Sequence, residues 1–140
     1  MSNWLRRHIV HPADSGAAVI DFVMMSILLV FLLFAVLQAA IFFYARNIAA
    51  ASAADAARYS AVEGVDVHEG KQRAEQLIRK GLDDADAAAI KCTSGPGRDA
   101  RSGLAVTTVH CRGRIRVVFT PLKMPLTIDV TSSVLKESQP

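Results

Sequence analysis

Residues 22–45 read FVMMSILLVFLLFAVLQAAIFFYA, 24 consecutive positions without a charge. At about 1.5 Å of rise per residue such a helix is roughly 36 Å long, enough to cross a hydrocarbon core of about 30 Å. Its apolar residues lie on every side, whereas a helix on the surface of a soluble protein carries them along one stripe. The run therefore predicts a transmembrane helix. It is longer than the apolar core of a secretory signal, about 7–15 residues. Gln38-Ala39-Ala40 is also a poor cleavage site, because Ile41-Phe42-Phe43-Tyr44 continues the apolar run beyond it. Arg6-Arg7 stands too far upstream to make a twin-arginine signal. The helix is expected to stay.

Outward from the run, the flanks set direction. Arg6 and Arg7 precede it, with His8 and His11 nearby, while Arg46 and then Arg58 follow. The positive-inside rule favours a cytoplasmic N-terminus on this bias. Residues 1–16 read as a short polar leader in which Pro12 and Gly16 oppose regular structure. Although 51% of the 140 residues are hydrophobic, so many lie in one helix that at most one small domain remains to be built from the rest. The formal net charge of +3 is too small to argue for a nucleic-acid partner.

Beyond the run, residues 46–62 read RNIAAASAADAARYSAV, rich in alanine and free of proline and glycine. Alanine has the highest helix propensity, so the helix is expected to continue to about Gly64. Ala49, Ala53 and Ala57 recur every four residues on one face, either as a seam for helix packing or as part of a plain helical stalk. A second helix is expected from Asp66, with Asp66 and Glu69 spaced as a capping box. Ala74, Leu77, Ile78 and Leu82 form its apolar stripe, and Gly81 is expected to end it in the left-handed conformation.

The last third changes to period two. From residue 105 to 119 the odd positions read Ala, Thr, Val, Cys, Gly, Ile, Val and Phe, a mainly apolar set that keeps its phase across Arg112-Gly113-Arg114. One long strand with a bulge at Gly113 accounts for this better than a hairpin there. Pro121 and Pro125 close it, and a last strand carries Leu126, Ile128, Val130 and Val134 on one face. A short strand is expected over residues 88–92, followed by a loop at Thr93-Ser94-Gly95-Pro96-Gly97. The fold class is thus α+β: a transmembrane helix extended by an alanine-rich helix, a second amphipathic helix and a small antiparallel sheet of about three strands.

Cys92 and Cys111 fall on the extracytoplasmic side of this topology, in phase with the apolar faces of their strands. There a disulfide is the favoured use of an even pair. Closing a loop of this size contributes about 3 kcal/mol in the chain-entropy model, which a small sheet needs.

Nothing in the chain assembles into a catalytic constellation. His8, His11, His68 and His110 are scattered, and Asp83, Asp84 and Asp86 lack the spacing and terminal glutamate of a calcium loop, so they read as an exposed turn. Arg112, Arg114 and Arg116 line one strand face. No enzyme activity, metal or cofactor is expected.

One feature of the run's inner end is left: Gly16-Ala17-Ala18-Val19-Ile20-Asp21-Phe22, a glycine closing a basic leader with an acid five residues later. This resembles the type IV prepilin cleavage signal, and within it the TadE-like pseudopilins of tight-adherence pilus systems. The overall plan is similar too: an acid-phenylalanine pair, an apolar helix, an alanine-rich extension and a small region of strands. Two positions depart from the family, which carries glutamate where this chain has Asp21 and often a proline near Ser26 and Ile27. The resemblance implies cleavage by prepilin peptidase between Gly16 and Ala17. It further implies that Asp21, with Phe22 beside it, acts as the acid recognised in assembly.

The expected organisation is a cytoplasmic leader over 1–16, a transmembrane and extended pilin-like helix over 17–63, and an extracytoplasmic α+β domain over 64–140. The expected function is a minor pilin or pseudopilin in the bacterial cytoplasmic membrane. Its partners would be prepilin peptidase, the major pilin and other pseudopilins, the inner-membrane assembly platform and the lipid bilayer. The alternative is an uncleaved single-pass anchor displaying a small binding or sensory domain. In that case Asp21 does no more than interact favourably with the helix dipole.

Overall fold

The computed structural model describes residues 14–116 and 126–137. Arg6, Arg7, His8, His11 and Pro12 of the leader, and Phe119, Pro121 and Pro125 near the strand ending, lie outside the described residues. The elements are helices α1 (Asp14–Ala61), α2 (Glu69–Gly81) and α3 (Asp84–Ala89) and strands β1 (Ile90–Arg98), β2 (Ala105–Ile115) and β3 (Leu126–Leu135). The three strands form one antiparallel sheet in the order β1-β2-β3, and the fold is α+β. The chain divides into two compact units, Met1–Val36 and Leu37–Pro140.

In the first unit α1 presents its apolar side chains outward. Phe22 is 73% exposed, and Met24, Leu28 and Leu32 are comparably bare. Helix α1 is the one helix among the described residues long and apolar enough to cross a membrane, and none of its most apolar window is buried within the chain. Such exposure is costly in water and favourable in lipid, as a single-pass membrane protein requires. The helix starts at Asp14, so Gly16 is helical rather than a break as expected. One glycine costs about 1 kcal/mol in a helix interior, little against the 48 residues of α1.

In the second unit the alanine-rich part of α1 closes the core. Ala45, Ala49, Ala53, Ala56 and Ala57 are all buried, together with Ala74 and Ile78 of α2 and Ile90, Cys92, Val109, Cys111, Ile115, Ile128 and Val130 of the sheet. Side chains this small let backbones approach closely. Helix α1 ends at Ala61, and Gly64 follows with φ +83°.

Helix α2 keeps the expected stripe, with Ala74 and Ile78 buried and Leu82 packed against the core, but both of its ends differ from expectation. Its N-cap is His68, without a side-chain capping bond. Asp66 accepts instead from the backbone N–H of His68 at 2.9 Å, and Glu69 from the hydroxyl of Tyr59 at 3.3 Å, so no capping box forms. Gly81 does not adopt a positive φ. What requires glycine is space, because a Cβ there would lie 2.7 Å from Ile48 Cγ2.

Asp83 is not in a plain turn. Its carboxylate accepts from the N–H of Asp86 at 3.0 Å and caps α3, a helix not expected from the sequence. That helix takes up Ala88, so the first strand begins at Ile90, and it runs on to Arg98 through the segment expected to be a loop. The reason is the partner: β2 offers an unbroken ladder opposite, pairing Gly95 with Thr108 and Pro96 with Thr107. Proline is tolerated because β1 is an edge strand. Strand β2 passes straight through Gly113 with neither hairpin nor bulge, pairing it with Ile90 on one side and Ile128 on the other. Cys92 and Cys111 face each other across β1 and β2 and form a disulfide, with Cα atoms 4.0 Å apart.

Candidate functional site

The first turns of α1 hold Gly16, Ala17, Asp21 and Phe22, the residues expected from the sequence to be cut and recognised. Four residues separate Ala17 from Asp21, so one helical turn sets them on the same face. Asp21 and Phe22 are exposed, and among the described residues Asp21 has no ion-pair partner. A Cβ built on Gly16 meets nothing within 4 Å, so packing among the described residues does not ask for glycine there. Ser26 donates its hydroxyl back to the carbonyl of Phe22 at 2.7 Å, satisfying within the helix a group that lipid could not. What results is one acid at the mouth of an otherwise apolar surface, with a glycine one residue before the turn that contains it. Residues 16–58 match the family model described as TadE-like protein. Over this segment the chain is similar to TadE-like proteins. The TadE-like match begins at Gly16 and closes at Arg58, leaving α2, α3 and the sheet outside it. No curated protein and no solved structure matches the chain.

The third set of residues from the sequence, Ala49, Ala53 and Ala57, lies apart from the motif. All three are fully buried against this chain's own α2 and sheet. The surface that α1 leaves open in this stretch runs instead through Asn47, Ala50, Ala51 and Arg58.

The sheet and α2 carry polar clusters that the sequence did not bring together. Arg73 donates to Asp55 at 3.0 Å, and its guanidinium stands 5.7 Å from the centre of the Tyr59 ring. Arg73 and Tyr59, with Glu69, Gln72 and Gln76, line a recess of about 170 Å³. The arginine stripe along β2 and just past its end is only partly free: Arg116 pairs with Asp86 at 3.2 Å and Asp83 at 2.7 Å, which raises its pKa further. Arg112 lies 3.8 Å from Asp129, which also bonds His110 at 2.8 Å. In the β1–β2 turn, hydrogen bonds from the Ser102 hydroxyl and backbone N–H hold the Asp99 carboxyl below its ordinary pKa. Among the described residues no three His, Cys, Asp or Glu side chains converge to hold a metal ion.

Proposed function

We propose that this chain is a minor pilin or pseudopilin of a tight-adherence pilus, cut by prepilin peptidase after Gly16. The observation that carries the reading is the exposed Asp21, without an ion-pair partner among the described residues and one turn from Ala17, inside a TadE-like segment that starts at Gly16. The peptidase performs the chemistry and this chain is its substrate. Hydrolysis of the Gly16–Ala17 bond leaves a carboxylate on Gly16 and an amine on Ala17. An α-amine titrates near 7.7–8.0 and is largely protonated at neutral pH.

The cleaved helix then carries a cation at its first residue and an anion one turn on, at the edge of a lipid-facing surface. An unpaired aspartate at a helix centre in a bilayer costs about 2.5–3.5 kcal/mol, less near the interface. Pairing Asp21 with the Ala17 amine of a neighbouring subunit offsets that cost and favours one axial register over others. Phe22 supplies apolar contact beside the pair. The neighbours in this scheme are the major pilin, other pseudopilins and the inner-membrane assembly platform, with Ala49, Ala53 and Ala57 holding the helix to its own domain. The leader, 1–16, lies in the cytoplasm; the helix, 17–63, spans the bacterial cytoplasmic membrane; the domain, 64–140, lies outside, in an oxidising compartment that suits the Cys92–Cys111 disulfide.

Intact mass of the membrane-purified protein, from cells with and without prepilin peptidase, tests the proposal. A chain starting at Ala17 only when the peptidase is present is the expected result. A full-length chain in both strains overturns it and leaves an uncleaved anchor.

A further inference from the structure

The end of the apolar run is where α2 returns to α1. The hydroxyl of Tyr44 donates to the carbonyl of Gly81 at 3.0 Å. Gly81 also abuts Ile48, so closely that a Cβ would not fit. Tyr44 and Ile48 are one turn apart on the same face of α1. The two contacts therefore hold the last turn of α2 against the single turn of α1 containing Ala45, where the run ends, and Arg46, the first charge beyond it.

At about 100° per residue Arg46 stands roughly 200° around α1 from Tyr44, on the side away from α2. Arg79 and Lys80 immediately precede Gly81 on the other side. All three cations are exposed, and none has an ion-pair partner among the described residues. The nearby acids Asp83 and Asp86 are engaged by Arg116, which leaves Asp84 as the one exposed carboxylate of α3 without an ion pair among the described residues. The dipole of α2 favours cations in its last turn, but it gives no reason for Arg46 on the opposite side.

We infer that Arg46, Arg79 and Lys80 form a basic collar that binds anionic lipid headgroups in the leaflet where the apolar run ends. Arginine and lysine lay their methylene stems along hydrocarbon while the charged tips reach headgroup phosphates. Tyr44 adds an amphipathic aromatic ring at the same level, a residue type enriched at membrane interfaces. The collar rests on α1 crossing a bilayer and is independent of cleavage after Gly16.

The test uses the full chain reconstituted in phosphatidylcholine bilayers with trace spin-labelled phosphatidylglycerol or phosphatidylcholine. Electron paramagnetic resonance reads the motionally restricted fraction of each label. A several-fold preference for phosphatidylglycerol is expected, with most of it lost in the triple variant Arg46→Gln/Arg79→Gln/Lys80→Gln. The charge-matched triple Lys91→Gln/Arg112→Gln/Arg114→Gln, altered on the sheet, should keep it. The single variant Arg46→Glu, at an exposed site on a long helix, should lower the preference without disturbing the fold. Absence of preference in the wild type, or equal loss in the two triples, overturns the collar. A full-length chain that keeps the preference leaves the collar standing while removing the processing proposal.

Discussion

Gly113 of β2 lies so close to Ile90 of β1 that a methyl group on it would sit 2.7 Å from the Ile90 Cα and 2.5 Å from the Ala89 carbonyl oxygen. Both obstacles are backbone atoms and cannot rotate aside. Gly113→Ala is expected to destabilise the folded domain by about 1–3 kcal/mol. The denaturation midpoint of the full chain in detergent, followed by circular dichroism, measures it, and an unchanged midpoint would contradict the crowding.

The alanine face of α1 gives a paired comparison. Ala53 is fully buried against the domain, whereas Ala50 one turn back is exposed. Ala53→Leu inserts volume into a filled space and should cost about 1–3 kcal/mol. Ala50→Leu should stay within about 0.5 kcal/mol of the wild type. Equal effects at the two sites would mean that the face of α1 against the sheet has been misassigned.

Replacing both cysteines isolates the cross-link. Cys92→Ala/Cys111→Ala removes a disulfide joining residues 19 apart in sequence. A loss of about 3 kcal/mol is expected from restored loop entropy. The same loss should appear when the wild-type protein is unfolded with reductant present, and a reductant-insensitive midpoint would speak against the bond.

Acid should loosen the β1–β2 turn. The Asp99 carboxyl is held below its ordinary pKa by Ser102, so the folded state binds its proton less readily than the unfolded chain does. The stabilisation is complete above the unfolded aspartate value of about 3.9 and is lost as pH falls through the lower folded value. Amide hydrogen exchange at Ser102 and Gly103 should quicken over that window. Asp99→Asn should flatten the response, and a pH profile identical to the wild type would remove Asp99 as its source.

The proposed pairing of Asp21 separates processing from assembly. Asp21→Asn should still be cut after Gly16, yet its recovery with sheared pili should fall well below wild type. Asp21→Glu restores the family's usual acid and should restore recovery. Wild-type recovery of the asparagine variant would show that the charge at this position is dispensable.

Much of this architecture is legible in local pattern. The uncharged run over 22–45, the alanine-rich extension, the stripe of α2 and the two-residue period of β2 and β3 all reappear as elements of the expected type. Each depends on energetics set within a few residues: transfer of apolar groups, helix propensity, alternation across a strand. The errors fall where distant segments decide. Glycine and proline at 95–97 look like a loop until β2 supplies a ladder opposite them. Gly81 looks like a helix terminator until Ile48 occupies the space its Cβ would need. Asp83 looks like a turn residue until its carboxylate caps α3 and meets Arg116.

By itself, then, the sequence determined a membrane-length helix with an acid at its mouth, the phase of each strand and the two cysteines available for pairing. Only the tertiary structure decided that Ala49, Ala53 and Ala57 are spent inside the chain, that Cys92 stands directly opposite Cys111, and that α2 ends beside Tyr44. Those outcomes depend on contacts between residues far apart along the chain, whose register no local periodicity encodes.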